Sequence, residues 1–155
     1  MPRVLVPIAE GSEELEAVTI IDLLRRAGFD VTVAGLDGSP VTMSRKTKIV
    51  PDVSLDDALA QEFDLVVLPG GLPGAENLDK DSRIHALLKK MADSGKFVGA
   101  VCAAPTVLAN AGLLKGKRAT GYPGFLESLD LPDTEVTGSA VERDGKIITS
   151  RGPGT

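Results

Sequence analysis

The chemistry available to this sequence centres on its single cysteine, Cys102. The cysteine follows a strand-forming run, 97–101, and precedes a helical pattern that begins near Pro105. Alanines stand two positions to either side of it. The frame therefore matches the strand–turn–helix pattern G-x-S-x-G, with cysteine as the nucleophile and alanines as the small flanking residues. The N–H of Ala103, at the start of the helix, favours a thiolate or a developing oxyanion. The alternative is an inert cysteine that packs as a small hydrophobic residue.

A nucleophilic thiol needs a partner, and the sequence favours a glutamate over a histidine. The only histidine, His85, flanks the apolar face of a helix predicted over 81–95, which favours a structural or surface role. Glu16 lies in a helix predicted over 12–28 and shares a row with apolar residues of its inner face. Burial raises the pKa of a carboxyl group, so we expect Glu16 to keep its proton and to stabilise a Cys102 thiolate. The alternative is a solvated carboxylate at the start of the helix.

A glycine pair, Gly70 and Gly71, ends the strand predicted over 63–71. Without side chains, their backbone N–H groups can approach a ligand, so this turn is expected to supply a second oxyanion donor. The same stretch lacks the Gly-Lys-Ser/Thr ending of a nucleotide-binding loop. One cysteine also excludes a metal site built on several cysteines. We expect neither a cofactor nor a metal.

The elements that must position these residues alternate between strands and helices, which predicts an α/β fold with a mostly parallel sheet covered on both faces. Strands are predicted over 3–9, 30–36, 63–71 and 96–101, and helices over 12–28, 54–60, 81–95 and 105–112. Later strands are predicted over 117–122, 135–141 and 146–151, the last two as a hairpin, and Ser12 is the expected cap of the first helix. Ligands of such sheets bind at the carboxyl ends of the strands. The segments 9–16, 69–77 and 102–105 fall there, so they are expected to converge on one crevice.

Size and composition favour one soluble domain. The chain has 155 residues and a formal net charge of −5, and it carries no Lys/Arg-rich run, so binding to nucleic acid is not expected. No segment approaches the roughly 18 unbroken apolar residues of a membrane span, and the first residues do not resemble a signal peptide. A single cysteine fits a reducing compartment, so we expect a cytoplasmic protein.

Several stretches, in order along nearly the whole chain, resemble the ThiJ/PfpI superfamily, in the branch that contains the Parkinson-disease-associated protein and its bacterial relatives. These are "GSEELEAVTIIDLLRRAG", "VTVAGL", "SRKTKIVPDVSLDDA", "FDLVVLPGGLPGAENL", "AVCAAPTVLA" and "VERDGKIITSRGPGT". The resemblance implies a flavodoxin-like three-layer sandwich that forms homodimers. It also implies that Cys102 is the reactive nucleophile, Glu16 its protonated partner, and Gly71 and Ala103 the backbone donors. Arg45 matches an arginine near the site or the dimer contact.

The function implied by the resemblance is a cofactor-independent glyoxalase or deglycase that acts on methylglyoxal, glyoxal or their early protein adducts. An oxidative-stress sensor or redox-dependent chaperone that uses the same cysteine is the alternative, and a cysteine peptidase is third. Where many relatives have a His-Pro pair, this chain has Tyr122-Pro123. Tyr122 can hydrogen-bond a ligand but is a poor base near neutral pH, which disfavours triad chemistry.

The sequence also departs from the family at its end. Relatives continue beyond "RGPGT" into a further helix and tail, so we expect residues 1–155 to form a single domain without that segment. The family's C-terminal helix and tail are expected to be truncated, cleaved into a separate C-terminal fragment, or replaced by a neighbouring chain.

Overall fold

A seven-stranded sheet forms the centre of the protein in a computed structural model that describes all 155 residues. Its strands are β1 (Arg3–Ile8), β2 (Asp30–Gly35), β5 (Val53–Ser54), β6 (Leu65–Leu68), β7 (Phe97–Val101), β10 (Val141–Asp144) and β11 (Ile147–Ser150). They are ordered β10-β11-β7-β6-β1-β2-β5. All neighbours run parallel except β10 and β11, which form an antiparallel hairpin at one edge. The predicted mostly parallel sheet is confirmed.

Five helices connect and cover the strands. They are α1 (Glu14–Arg26), α2 (Leu55–Leu59), α3 (Gly74–Asp79), α4 (Ser82–Asp93) and α5 (Pro105–Asn110). Two small two-stranded sheets complete the fold: β3 (Val41–Thr42) with β4 (Lys48–Ile49), and β8 (Arg118–Ala119) with β9 (Glu135–Val136). None of these helices combines the length and apolar character that a bilayer crossing requires.

Side chains of β1 alternate between two apolar cores, as the period of a strand requires. Val4, Val6 and Ile8 belong to a core that includes Ala17 of α1. Leu5 points to the other core, which contains the buried residues of α2, α3, α4 and α5. Helices therefore cover both faces of the sheet, and the predicted three-layer sandwich is confirmed.

Two local predictions were wrong, and one helix was missed. Ser12 does not cap α1: it is fully buried, and its Oγ accepts the N–H of Ala9 at 3.0 Å, while Glu13 accepts the N–H of Leu15. The helix α3, which follows the glycine turn, was not predicted. The strands predicted over 117–122 and 135–141 shrink to the short pair β8 and β9 outside the central sheet. The terminal hairpin is confirmed, but its first strand is Val141–Asp144.

Candidate active site

Cys102 occupies the turn between β7 and α5 and adopts a left-handed backbone conformation, with φ of 61°. For a residue with a Cβ, that conformation costs about 1–2 kcal/mol. Two long-range hydrogen bonds hold it. The N–H of Cys102 donates to the carbonyl of Ser150 at 2.9 Å, and the carbonyl of Cys102 accepts the N–H of Tyr122 at 2.8 Å. The turn thus presents a partly buried sulfur at the carboxyl edge of the sheet.

Glu16 reaches the same edge from the start of α1 and is 6% exposed. Its Oε1 accepts the N–H of Gly70 at 2.9 Å. Its Oε2 is buried without a hydrogen-bond partner, an arrangement that is costly for an ionised carboxylate. The carbonyl of Gly70 accepts the N–H of Glu13 at 2.9 Å. Gly70 therefore ties both the first turn of α1 and the Glu16 carboxyl group to the end of β6.

The sulfur and the carboxyl group share two glycine neighbours. A Cβ atom built on Gly70 would lie 2.6 Å from the Cβ of Cys102 and 2.8 Å from Oε1 of Glu16. A Cβ atom built on Gly152 would lie 3.4 Å from Sγ of Cys102 and 3.5 Å from Oε2 of Glu16. The predicted convergence of the segments 9–16, 69–77 and 102–105 is therefore present. A fourth segment, which contains Gly152, closes over the pair; no periodicity or chemistry-bearing side chain of the sequence pointed to it.

The backbone N–H groups of the two turn glycines act on different side chains. The N–H groups of Gly71 and Ala103 act on the sulfur and lower the pKa of Cys102, whereas the N–H of Gly70 serves Glu16. Gly71 has φ of 88°, and a Cβ there would lie 2.5 Å from the backbone nitrogen of Glu13. Only glycine fits this turn, which leaves its N–H free to face the nucleophile.

Burial dominates the electrostatics of the pair. It raises the pKa of Glu16, against the N–H of Gly70 and the interaction with Cys102, which lower it. Burial, the charge of Glu16 and the hydrogen bond with Glu16 together raise the pKa of Cys102 to about 11, against the two backbone donors. Cys102 is therefore a protonated thiol while Glu16 is ionised, because burial and carboxylate repulsion outweigh the amide dipoles. The predicted thiolate, which requires the proton to lie on Glu16, stays a prediction.

The remaining candidates lie farther from the pair. Tyr122 is 49% exposed and contacts Cys102 through the backbone hydrogen bond described above. Arg45 is exposed in the β3–β4 turn, and its N–H donates to Oε1 of Glu14 at 2.9 Å; the contacts of Arg45 are therefore with Glu14 and not with the sulfur. His85 pairs with Asp79 at 2.8 Å on the helical layer, in line with the structural role expected for it. The catalytic or binding roles of Tyr122 and Arg45 stay predictions.

A model of the DJ-1/PfpI family matches residues 2–155. "Protein DJ-1 homolog B" of Arabidopsis thaliana is 51% identical over 99% of the chain, and the chain spans only 35% of that relative's length. "Glutathione-independent glyoxalase DJR-1.2" of Caenorhabditis elegans is 36% identical over 98% of the chain and 80% of its own length.

Solved structures agree with the sequence matches. The crystal structure of Drosophila melanogaster DJ-1beta superimposes with a TM-score of 0.94 at 44% identity, and the match covers 99% of this chain and 83% of that one. The structure of oxidized Toxoplasma gondii DJ-1 gives a TM-score of 0.92 at 40% identity, over 99% of this chain and 83% of that one.

Proposed function

Because this chain belongs to the DJ-1/PfpI family, we propose that it is a cofactor-independent glyoxalase that converts 2-oxoaldehydes to 2-hydroxy acids through Cys102 and Glu16. The observation that carries the proposal is the packing of the buried Glu16 carboxyl group and the Cys102 sulfur against the same two glycines, Gly70 and Gly152. A relative named as a glutathione-independent glyoxalase supports it. Methylglyoxal, glyoxal and their early adducts on proteins are the proposed substrates.

The first step forms a carbon–sulfur bond. The Cys102 proton passes to Glu16, and the sulfur adds to the aldehyde carbon, whose oxygen becomes the oxyanion of a hemithioacetal. The N–H groups of Gly71 and Ala103 act on the sulfur from the backbone and are the groups proposed to hold that oxygen. Burial raises the pKa of Glu16, which favours the proton transfer that this step requires.

The second step moves hydrogen between the two substrate carbons. Glu16 delivers its proton to the hemithioacetal oxygen, and the resulting carboxylate removes the proton from the carbon that bears sulfur. The electron pair forms an enediolate. The acid form of Glu16 then protonates the neighbouring carbon, while the hydroxyl proton of the carbon that bears sulfur passes to the neighbouring oxygen. The product is a thioester of the 2-hydroxy acid on Cys102, with the same number of electrons as the starting adduct.

Hydrolysis ends the cycle. Water adds to the thioester carbonyl, the carbon–sulfur bond breaks, and the sulfur leaves as the thiol. Methylglyoxal and water thereby yield lactate, and Cys102 regains the proton that it gave up in the first step. Every atom comes from substrate, water, Cys102 or Glu16.

The test is lactate formation from methylglyoxal by the purified protein. Cys102→Ser and Glu16→Gln are expected to lower kcat by roughly 10²-fold or more, the usual size for loss of a nucleophile or proton relay. Glu62→Gln is the control, since Glu62 is exposed just before β6, at the opposite edge of the sheet from the site, and the variant is expected to leave kcat within about threefold of wild type. Lactate formation that survives Cys102→Ser would refute the proposal.

An oxidation sensor is the second candidate, and the solved structure of an oxidized relative favours it. Peroxide reacts with the thiolate, so this function also needs Glu16 to hold the proton. Mass spectrometry distinguishes the two functions: a gain of two oxygens at Cys102 under mild peroxide, without turnover of methylglyoxal, would favour the sensor.

We also propose that the chain forms a homodimer through α1. Leu15, Val18 and Leu23 of that helix are large apolar residues, each about half exposed or more. Sedimentation of wild type and Val18→Asp tests this: a dimer that the variant converts to monomer is expected, and a monomeric wild type would contradict the proposal.

A further inference from the structure

Two exposed residues with large side chains are linked to the nucleophile through the main chain, from different parts of the fold. Leu72 is 47% exposed and directly follows Gly71, whose N–H acts on the sulfur. Tyr122 is 49% exposed, and its N–H is bonded to the carbonyl of Cys102. The other large apolar residues that are exposed include those of α1 and the chain start. Single exposed apolar residues are ordinary, but these two share main-chain links to the surroundings of the one cysteine.

The backbone fixes both side chains relative to Cys102. The Cα atoms of Leu72 and Gly71 are separated by one peptide unit, about 3.8 Å. Tyr122 is held by the 2.8 Å bond to the nucleophile's own carbonyl. Its ring also packs edge-to-face on Phe125, with centroids 5.9 Å apart and planes at 74°. A contact with the second aromatic ring limits the ring's motion, so an apolar surface is presented in a defined place.

We infer that Leu72 and Tyr122 form an apolar rim that selects 2-oxoaldehydes with an aromatic substituent. The inference rests on the proposed glyoxalase function and names the substrate class within it. When the aldehyde carbon of the substrate is bonded to Cys102, the substituent on its 2-oxo carbon extends toward solvent and passes the residues next to the nucleophile. A planar ring there covers the isobutyl group of Leu72 and packs against the phenol of Tyr122, and a methyl group reaches neither as fully.

The expected preference follows from the area removed from water. Burial of a few tens of Å² of apolar area, together with one contact between aromatic rings, strengthens transition-state binding by roughly tenfold. We therefore expect kcat/KM for phenylglyoxal to exceed that for methylglyoxal by about tenfold.

The experiment measures kcat/KM for both aldehydes in wild type, Leu72→Asn, Tyr122→Ala, Tyr122→Phe and Val141→Asn. The ratio of phenylglyoxal to methylglyoxal should fall about threefold or more in Leu72→Asn and Tyr122→Ala. Tyr122→Phe keeps the ring and should keep the ratio. Val141 of β10 is a similarly exposed apolar residue, so Val141→Asn is the control that should leave the ratio unchanged. An unchanged ratio in Leu72→Asn and Tyr122→Ala overturns the inference and leaves the glyoxalase proposal intact.

Binding of the reaction products tests the rim without turnover. Mandelate and lactate are the 2-hydroxy acids of the two aldehydes and differ only in the phenyl and methyl groups. Mandelate should bind wild type about tenfold more tightly by calorimetry, and the difference should shrink in Leu72→Asn and Tyr122→Ala. If no aldehyde is consumed, the glyoxalase proposal fails and this measurement still decides the rim. Equal affinities for the two acids would overturn the inference.

Discussion

Replacing Glu16 with glutamine should make the Cys102 thiol more acidic and should slow the proposed glyoxalase reaction. The amide oxygen can still accept the N–H of Gly70, so the local structure is expected to persist. Two of the three causes that raise the pKa of Cys102 to about 11 disappear, namely the charge of Glu16 and its hydrogen bond, while burial remains. We therefore expect the pKa of Cys102 to fall by about one to two units.

The size of the change in thiol reactivity follows from this shift. A fall of about 1.5 units raises the thiolate fraction at neutral pH about thirtyfold, because the group stays mostly protonated. Intrinsic nucleophilicity falls with pKa at a slope of about 0.4–0.5, which removes about fivefold of that gain. Alkylation of Cys102 by iodoacetamide should therefore be about sixfold faster in Glu16→Gln. Turnover should nevertheless drop by roughly 10²–10⁴-fold, because glutamine cannot carry a proton between the substrate carbons.

The assay combines the thiolate ultraviolet absorbance against pH with alkylation rates followed by mass spectrometry. Because Cys102 is the only cysteine, both signals report on one group. Glu62→Gln is the control and should leave the titration close to wild type, because Glu62 is exposed at the opposite edge of the sheet. The reasoning is refuted if wild-type Cys102 titrates near or below the free value of about 8.5 and Glu16→Gln does not move it, since Glu16 would then already be neutral.

Three further variants test the remaining geometry. Gly70→Ala should lower kcat about 10²-fold or more, because its Cβ would lie 2.6 Å from that of Cys102 and displace it; wild-type turnover would contradict the tight packing. Cys102→Gly should unfold in urea with a free energy about 1 kcal/mol higher than Cys102→Ala, because glycine adopts the observed φ of 61° without strain; equal stabilities would count against it. Burial raises the pKa of Glu14, but hydrogen bonds from its own backbone N–H and from the β3–β4 turn outweigh burial and lower the pKa from 4.5 to about 2. Glu14→Gln should therefore cost about 1–2 kcal/mol of unfolding free energy above pH 4.5, an effect lost as pH falls toward 2, and a pH-independent difference would be the contrary result.

The strands and helices that local pattern specifies strongly were predictable. β1, α1, α4 and β7 lie within the predicted ranges because their apolar spacing agrees with the tertiary fold, and Gly28 and Gly95 mark the ends of the two helices. The region after α5 was not, since β8 and β9 are only two residues long and their positions depend on neighbours distant in sequence. Strands this short carry no readable periodicity.

The positions of the reacting groups were also predictable, but their proton distribution was not. Cys102 and Glu16 could be placed at one sheet edge because parallel strands end together. Whether burial or the amide dipoles prevail depends on how deeply the pair is enclosed, and Gly152 contributes to that enclosure from a segment without a chemical signature. The pKa of Cys102 therefore followed from packing that no short motif encodes.

The amides of Gly71 and Ala103 that face the sulfur have a practical consequence for recognising similar enzymes. Main-chain groups are supplied by any amino acid that tolerates the local torsion angles, so divergence can erase most of the surrounding side-chain identities and leave the dipoles in place. A search keyed to a cysteine at positive φ, with two converging peptide nitrogens and a carboxyl oxygen nearby, would retrieve catalysts that residue patterns overlook.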